Sequence, residues 1–214
     1  MEVEAKLETS RPSVFDAIAR RKRLGPYELR PVAARRLETV YLDTARRDLV
    51  RHGIALRIRR RADGVEVTLK RAGKVARGVH HRPESTWQLR KVPAIPFRPR
   101  QRQLREGLRR WTKNAELWPL VGTRIRRRVL VVRRPGSGAP VAEIDLDRVE
   151  FFVPGRDDGG HKGARDFYEI EVELLGGDMN DLDRLVRALR RLYLLKPSKI
   201  SKLERALRWA GIDR

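Results

Sequence analysis

Alternation of charged and apolar residues at every second position runs through most of this chain. Residues 1–8 read Met-Glu-Val-Glu-Ala-Lys-Leu-Glu, so an extended strand puts Glu2, Glu4, Lys6 and Glu8 on one side and Val3, Ala5 and Leu7 on the other. The pattern recurs at residues 54–61, with Arg57, Arg59 and Arg61 opposite Leu56 and Ile58, and after the Asp63-Gly64 hairpin signal, with Glu66, Thr68 and Lys70 opposite Val65, Val67 and Leu69. His80, Arg82 and Glu84 share a face of a further strand. Residues 122–134 carry Arg124, Arg126 and Arg128 opposite Ile125, Val129 and Val131, with Arg127 as the exception on the apolar side. Residues 142–149 alternate Glu143, Asp145 and Asp147 with Ile144 and Leu146, and residues 166–174 alternate Glu169, Glu171 and Glu173 with Ile170, Val172 and Leu174. Residues 27–32 and 36–42 read as two further strands.

Helical spacing appears between these strands. Pro12, Phe15 and Ile18 predict a short helix, and Leu104, Leu108 and Trp111 another. Asp178 caps a third, with Leu182, Leu185, Val186, Leu189 and Leu192 on its apolar stripe, and Leu203, Ala206 and Leu207 mark a last one. Pro93, Pro96 and Pro99 set off residues 87–120 as a helix-rich connection between two sets of strands within a single domain spanning residues 1–214.

The signs of the charges are segregated, strand by strand. Neighbours on one sheet face sit ~5 Å apart, so a solvated face ordinarily mixes signs along and across its strands. Here acidic strands and basic strands are separate, while the opposite faces are apolar and amphipathic helices are available to cover them. That combination predicts an α+β fold, an inside-out β-barrel with a charged interior and with helices outside.

Composition sharpens this reading. Charged residues make up 36% of the 214, and 50 Lys+Arg against 28 Asp+Glu give a formal charge of +22, which attracts polyanions. Hydrophobic residues at 40% suffice for a core. With no cysteine, a metal must use oxygen or His ligands, and His52, His80, His81 and His161 lack metal spacing. No apolar run is long enough to span a bilayer and no secretory leader pattern is present, so the expected compartment is the cytoplasm, with no membrane partner. Clustered carboxylates facing clustered guanidinium and ammonium groups suit a hard divalent cation together with phosphate oxygens. Nucleic acid as the specific ligand is disfavoured, because the acidic strands repel a phosphate backbone.

These strands resemble, in order, the motifs of the CYTH superfamily, the triphosphate tunnel metalloenzymes. Glu2-x-Glu4-x-Lys6 is similar to the ExExK signature, Tyr41-Leu42-Asp43-Thr44 to Y-x-D-T, Leu56-Arg57-Ile58-Arg59 to LRxR, and Thr68-x-Lys70 to TxK. Arg82 with Glu84 resembles R-x-E, residues 143–147 E-I-x-L-D, residues 169–174 EIELEL, and Ser201-Lys202-Leu203-Glu204-Arg205 the terminal S-K-x-E-R. The resemblance implies that the barrel is a tunnel, an eight-stranded antiparallel β-barrel, and that it cleaves a triphosphate with Mg²⁺ or Mn²⁺. It implies Glu2, Glu4, Glu169 and Glu171 at the metal, with Glu173 as a further ligand, and Lys6 beside them in catalysis. Lys6, Arg57, Arg59, Lys70, Arg82, Arg126, Arg128 and Lys202 are implied phosphate contacts, with Arg124 an alternative on its strand, and Glu84 and Asp147 are implied orienting groups. Inside the barrel Glu2 and Glu4 should then face Glu169 and Glu171. The expected activity is hydrolysis of inorganic tripolyphosphate or a related small-molecule triphosphate. The alternatives are a class IV-type adenylyl cyclase, a thiamine or nucleoside triphosphatase, and a non-catalytic polyphosphate-binding module.

Overall fold

The computed structural model describes residues 2–61, 64–71, 73–76, 79–155 and 167–212, and for residues 74–76 and 80–82 the backbone alone. In chain order the elements are β1 (Glu2–Thr9), α1 (Ser13–Ala19), β2 (Arg23–Leu24), β3 (Tyr27–Asp43), α2 (Asp48–Arg51), β4 (Ile54–Arg61) and β5 (Gly64–Arg71). There follow β6 (Lys74–Ala76), β7 (Val79–Arg82), β8 (Glu84–Leu89), α3 (Arg102–Thr112), β9 (Trp118–Arg133), β10 (Pro140–Phe152), β11 (Phe167–Leu174), α4 (Met179–Tyr193), β12 (Lys196–Pro197) and α5 (Lys202–Trp209).

All strand pairs are antiparallel, and the sheet runs β6-β7-β1-β11-β10-β9-β3-β4-β5-β8, with β12 on β1 and β2 on β3. The expected closed eight-stranded barrel is therefore corrected to an open path of ten strands. The sheet nevertheless curls until its ends meet through the chain itself. β7 ends at Arg82, β8 begins at Glu84, and Pro83 alone joins them. Proline has no N–H to donate, and its carbonyl accepts from Arg71 N at 3.1 Å. Side chains cross the same gap, since Lys70 on β5 reaches Glu2 on β1 at 2.8 Å.

The two strands expected at residues 27–32 and 36–42 are one strand of 17 residues. A register shift between Pro31 and Ala33 lets it absorb the proline without ending. The connection expected at residues 87–120 narrows to residues 90–117, because its ends belong to β8 and β9.

Apolar faces lie outward under the helices. Ala5, Leu7, Ile144, Leu146, Ile170 and Val172 pack beneath Phe15 and Ile18 of α1 and Leu182, Leu185 and Leu189 of α4. Leu42, Leu56, Ile58, Val67 and Leu69 pack beneath Leu49 of α2 and Leu104 and Leu108 of α3. Asp178 caps α4 reciprocally: its carboxylate accepts from Asp181 N and Asp181 Oδ2 accepts from Asp178 N, each at 3.0 Å. Leu192, expected on the apolar stripe of α4, is 47% exposed near the helix end. The last helix, α5, packs Leu203, Ala206 and Leu207 against Tyr41 and Val121, on the tunnel side of the sheet. No helix among the described residues is long and apolar enough to cross a membrane.

Because α4 supplies the outer half of the main core, truncating Leu185 to Ala should lower unfolding stability by ~2–5 kcal/mol. Chemical denaturation of the L185A protein measures this; a change under ~0.5 kcal/mol would contradict the packing described.

Candidate active site

Strand register decides which charges meet. β1 pairs with β11 so that Glu4 stands opposite Glu173, Lys6 opposite Glu171 and Glu8 opposite Glu169. β11 pairs with β10 so that Glu173 stands opposite Glu143, Glu171 opposite Asp145 and Glu169 opposite Asp147. Directly opposed residues share a face, so three rows cross the inner wall. The first, Glu4-Glu173-Glu143, is wholly acidic. The second, Lys6-Glu171-Asp145, carries a lysine. The third, Glu8-Glu169-Asp147, continues to Arg127 on β9.

This register corrects the expectation that Glu2 and Glu4 face Glu169 and Glu171. All four point inward, but Glu4 is offset by two rows from Glu169 and meets Glu173 instead. Sequence alternation fixes the face of each carboxylate and is silent on how far one strand slides along another.

The second and third rows meet cations from within, although burial still pushes the Asp145 carboxyl up to about 8 and the Glu169 carboxyl up to about 7. Lys202, the first residue of α5 after the Ser201 N-cap, sends its ammonium to Glu171 Oε1 at 2.8 Å, to Asp147 Oδ2 at 3.0 Å and to Glu169. Arg127 forks onto Asp147 with two bonds of 2.7 Å, reaches Glu171 Oε2 at 2.9 Å and also contacts Asp145. Lys6 bonds Glu171 Oε1 at 2.7 Å and lies 3.0 Å from Glu4 Oε1. Burial works against the charge on Lys6, yet Glu171, Glu4 and Glu169 together raise its pKa above the ordinary lysine value. Burial also opposes the charge on Glu171, and Lys202, Lys6 and Arg127 outweigh it, holding that carboxyl well below its usual range. One ligand oxygen each from Asp147, Glu169 and Glu171 lies within 4.8 Å of the others, a spacing that could hold a cation. The ammonium of Lys202 takes that place here.

In the first row, Glu4 shares Lys6 with Glu171, and Glu143 and Glu173 form no ion pair among the described residues. Burial, then the charges of Glu2 and Glu4, push the Glu173 carboxyl up from 4.5 to about 7. Glu2 is raised by burial and by Glu4, against the pull of Lys70. Among the described residues, Asp147, Glu169 and Glu171 are the carboxylates whose oxygens converge at cation-holding distance; Glu4, Glu143 and Glu173, with Glu2 alongside, form a second set of oxygen donors that lines the cavity.

Across the tunnel the wall is basic. Lys70 bonds both oxygens of Glu2, at 2.8 and 2.9 Å, and Glu84 at 2.7 Å. Glu84 lies 3.6 Å from Arg57. Arg59, buried, donates from Nε to Thr39 Oγ1 at 3.0 Å and lies 3.9 Å from Glu66. Burial, then repulsion from Arg57 and Arg127, pull Arg59 down to about 9. Nε of Arg57 is buried without a hydrogen-bond partner among the described atoms. A cavity of about 800 Å³ lies between the walls, lined among others by Glu2, Glu4, Glu143, Glu173, Lys6, Arg57, Arg59, Lys70 and Lys202.

A family model described as the CYTH domain matches residues 1–207. The chain belongs to the CYTH domain family. Solved structures share its fold. An adenylyl cyclase candidate from Hippeastrum, described with a dominant triphosphatase activity, is 24% identical over 100% of this chain and 98% of its own, with a TM-score of 0.71. An adenylate cyclase candidate from Bacillus halodurans is 18% identical over 96% of each chain, with a TM-score of 0.65. The Mimivirus capping enzyme triphosphatase is 12% identical over 89% of this chain and 88% of its own, with a TM-score of 0.50. No curated protein matches the sequence.

Within this CYTH domain, Glu2, Glu4, Lys6, Arg57, Arg59, Lys70, Glu84, Glu171, Glu173 and Lys202 are brought together around one cavity. Glu169 and Asp147 point inward but lie beneath Lys202, fully buried. Arg126 and Arg128 are corrected outright: both face outward, 64% and 53% exposed, toward Glu150 and Asp16 respectively. Arg124 is also outside, near Glu38. The side chain of Arg82 lies outside the described residues; its backbone pairs with Glu2. The sequence reading missed Arg127 and Glu143. Arg127 was set aside for sharing a face with Ile125 and Val129, yet that inner wall is mixed, with Leu37, Ile125 and Val149 forming a small apolar cluster. Glu143 was visible in its alternation with Asp145, and only the register shows that it completes the acidic row.

A raised carboxyl pKa means that the folded state binds this proton more tightly than the unfolded chain does. The stabilisation is full below the ordinary glutamate value and is lost as pH rises through the folded value. The metal-free protein should therefore lose melting temperature between about pH 5 and about pH 7.5, and Glu173→Gln should flatten that slope. Thermal melts of both proteins over this range check it; parallel slopes would contradict the environment assigned to Glu173.

Proposed function

We propose that this CYTH domain is a divalent-metal-dependent triphosphatase acting on inorganic tripolyphosphate or a related small-molecule triphosphate. The observation that carries the reading is one cavity lined by a row of carboxylates, Glu4, Glu173 and Glu143, together with the guanidiniums of Arg57 and Arg59 and the ammonium groups of Lys6 and Lys70. A linear triphosphate lying between them satisfies both: Arg57, Arg59, Lys70 and Lys6 meet phosphate oxygens, and Glu4, Glu143 and Glu173 hold Mg²⁺ or Mn²⁺ against the same anion. The cation would supply Lewis-acid charge to the phosphate oxygens.

The remaining work is done by the chain's own groups. Phosphoryl transfer spreads charge over the oxygens of the transferred group, so catalysis rests on positioning and on fixed positive charge. Arg57 and Arg59 alternate on β4 and line the same cavity as the acidic row, which supports guanidinium contacts along the phosphate chain. Glu84 bridges Lys70 and Arg57 and orients both. Lys202 and Arg127 keep Glu171 and Asp147 ionised and tied, which leaves the first row as the open ligand set and keeps the inner wall rigid. Related CYTH proteins support the chemistry in kind, since two of those compared are described by triphosphatase activity.

A substrate panel of tripolyphosphate, ATP, thiamine triphosphate and long-chain polyphosphate, each with Mg²⁺ and with Mn²⁺, tests the proposal. Phosphate release from tripolyphosphate, with no cyclic AMP from ATP, is expected; cyclic AMP with pyrophosphate as the main products would establish a cyclase instead. Glu4→Gln removes one ligand charge from the acidic row. It should lower turnover by roughly a hundredfold or more while tripolyphosphate binding is kept, and unchanged turnover would sink the assignment.

A further inference from the structure

Among the described residues, the helices that cover the outer face of the sheet leave one strip bare. α1 and α4 lie over one flank, α2 and α3 over the other, and between them β3, β9 and β10 turn Arg36, Arg124 and Arg126 to solvent. Cross-strand register again separates two rows. Arg60, Glu38, Arg124 and Glu150 stand directly opposite one another and alternate in sign, with Glu38 at 4.0 Å from Arg60 and 3.6 Å from Arg124. The next row, Arg36, Arg126 and Arg148, is cationic throughout. Like charges directly opposite on a sheet face are destabilising. The first row demonstrates that these strands can alternate; in the second, Arg126 reaches Glu150 at 3.9 Å from the neighbouring row, yet three arginines still stand side by side, a departure that a polyanion would relieve.

The strip is continuous with the tunnel. A groove of about 1030 Å³ runs over it, lined by six arginines against two glutamates. Arg35 and Arg61 line this groove and also the tunnel cavity, so cationic side chains run without a break from the outer face over the rim to the interior. The described lining of the groove carries no aromatic side chain; beside it, Phe152 is buried under Arg124, and Tyr168, opposite Arg148 at the end of the row, is half-buried against Phe15. Single-stranded nucleic acid is held largely by stacking of bases on aromatic rings, whereas a chain of bare phosphates needs only cations.

We propose that this strip is an exosite for long-chain inorganic polyphosphate, which lies along Arg36 and Arg126 and passes its end over Arg35 and Arg61 into the tunnel. The idea rests on the tunnel being the triphosphate site and extends its substrate class to polymeric phosphate. A free triphosphate is short enough to be held inside and gains nothing from the strip.

The double variant Arg36→Ser/Arg126→Ser tests it, since both side chains are exposed and outside the tunnel. Titration with long-chain polyphosphate, tripolyphosphate and single-stranded polyuridylate, without divalent cation and at low salt, gives binding in the absence of turnover. The variant should bind long-chain polyphosphate roughly tenfold more weakly or worse, while its tripolyphosphate affinity and its metal-dependent tripolyphosphate kcat and KM stay at the wild-type values. Wild-type affinity of the variant for long-chain polyphosphate would overturn the exosite. So would equal wild-type affinity for polyuridylate with an equal loss in the variant, which would make the strip a nucleic-acid surface. If the wild-type protein fails to hydrolyse tripolyphosphate, the tunnel reading fails, and the binding titration still reports on the strip by itself.

Discussion

The constraint on which this structure depends is the neutrality of an inward-facing charged sheet. Turning the polar face of a curled sheet toward its own interior places like charges ~5 Å apart where water is scarce. An uncompensated buried charge costs several kcal/mol. The protein meets this with internal counterions chosen row by row. Lys202 and Arg127 balance Glu169, Asp147, Glu171 and Asp145, and Lys6 adds to that balance from β1. The row Glu4-Glu173-Glu143 lines the cavity with Lys6 beside Glu4, and Arg57 and Arg59 line the same cavity with only distant carboxylate partners, at 3.6 and 3.9 Å. Chemistry is then expected where compensation is weakest.

The helices follow from the same inversion. With the charged face inward, the apolar face is exposed unless covered, and α1, α4, α2 and α3 cover it in two patches. α5 serves the interior, because its N-cap at Ser201 sets Lys202 among the carboxylates while Leu203 and Leu207 pack on Tyr41 and Val121. Asp43 of the Tyr41–Thr44 motif has a structural part of this kind. Its carboxylate accepts from the backbone N–H groups of Thr44, Leu49 and Val50 at 2.7–2.9 Å, which fixes the turn leading to β4 and so the placement of Arg57 and Arg59.

Much of this was legible in the sequence, because a period of two assigns each side chain of a strand to a face. It placed Glu2, Glu4, Lys6, Arg57, Arg59, Lys70, Glu171 and Glu173 on the inner wall without any contact being known. It failed at β9. There the inference that charged means inward inverted the strand: Arg124 and Arg126 turn to a stretch of outer face that none of the described helices covers, Arg128 turns outward to Asp16 of α1, and Arg127 turns in. Register was the other gap. Ladder offsets are set by pairing across long sequence separations, so nothing in the alternation of β1 could show that Glu4 meets Glu173 in place of Glu169. The join at Pro83, which leaves the ladder open while the wall is continuous, is likewise a matter of how two strands meet.

Metal location tests the central claim most directly. Crystals grown with Mn²⁺ would show by anomalous scattering which carboxylates hold the ion. The account predicts a peak among Glu4, Glu143 and Glu173, close to Glu2, with the ammonium of Lys202 still seated between Asp147, Glu169 and Glu171. A peak among Asp147, Glu169 and Glu171, with Lys202 displaced, would contradict it.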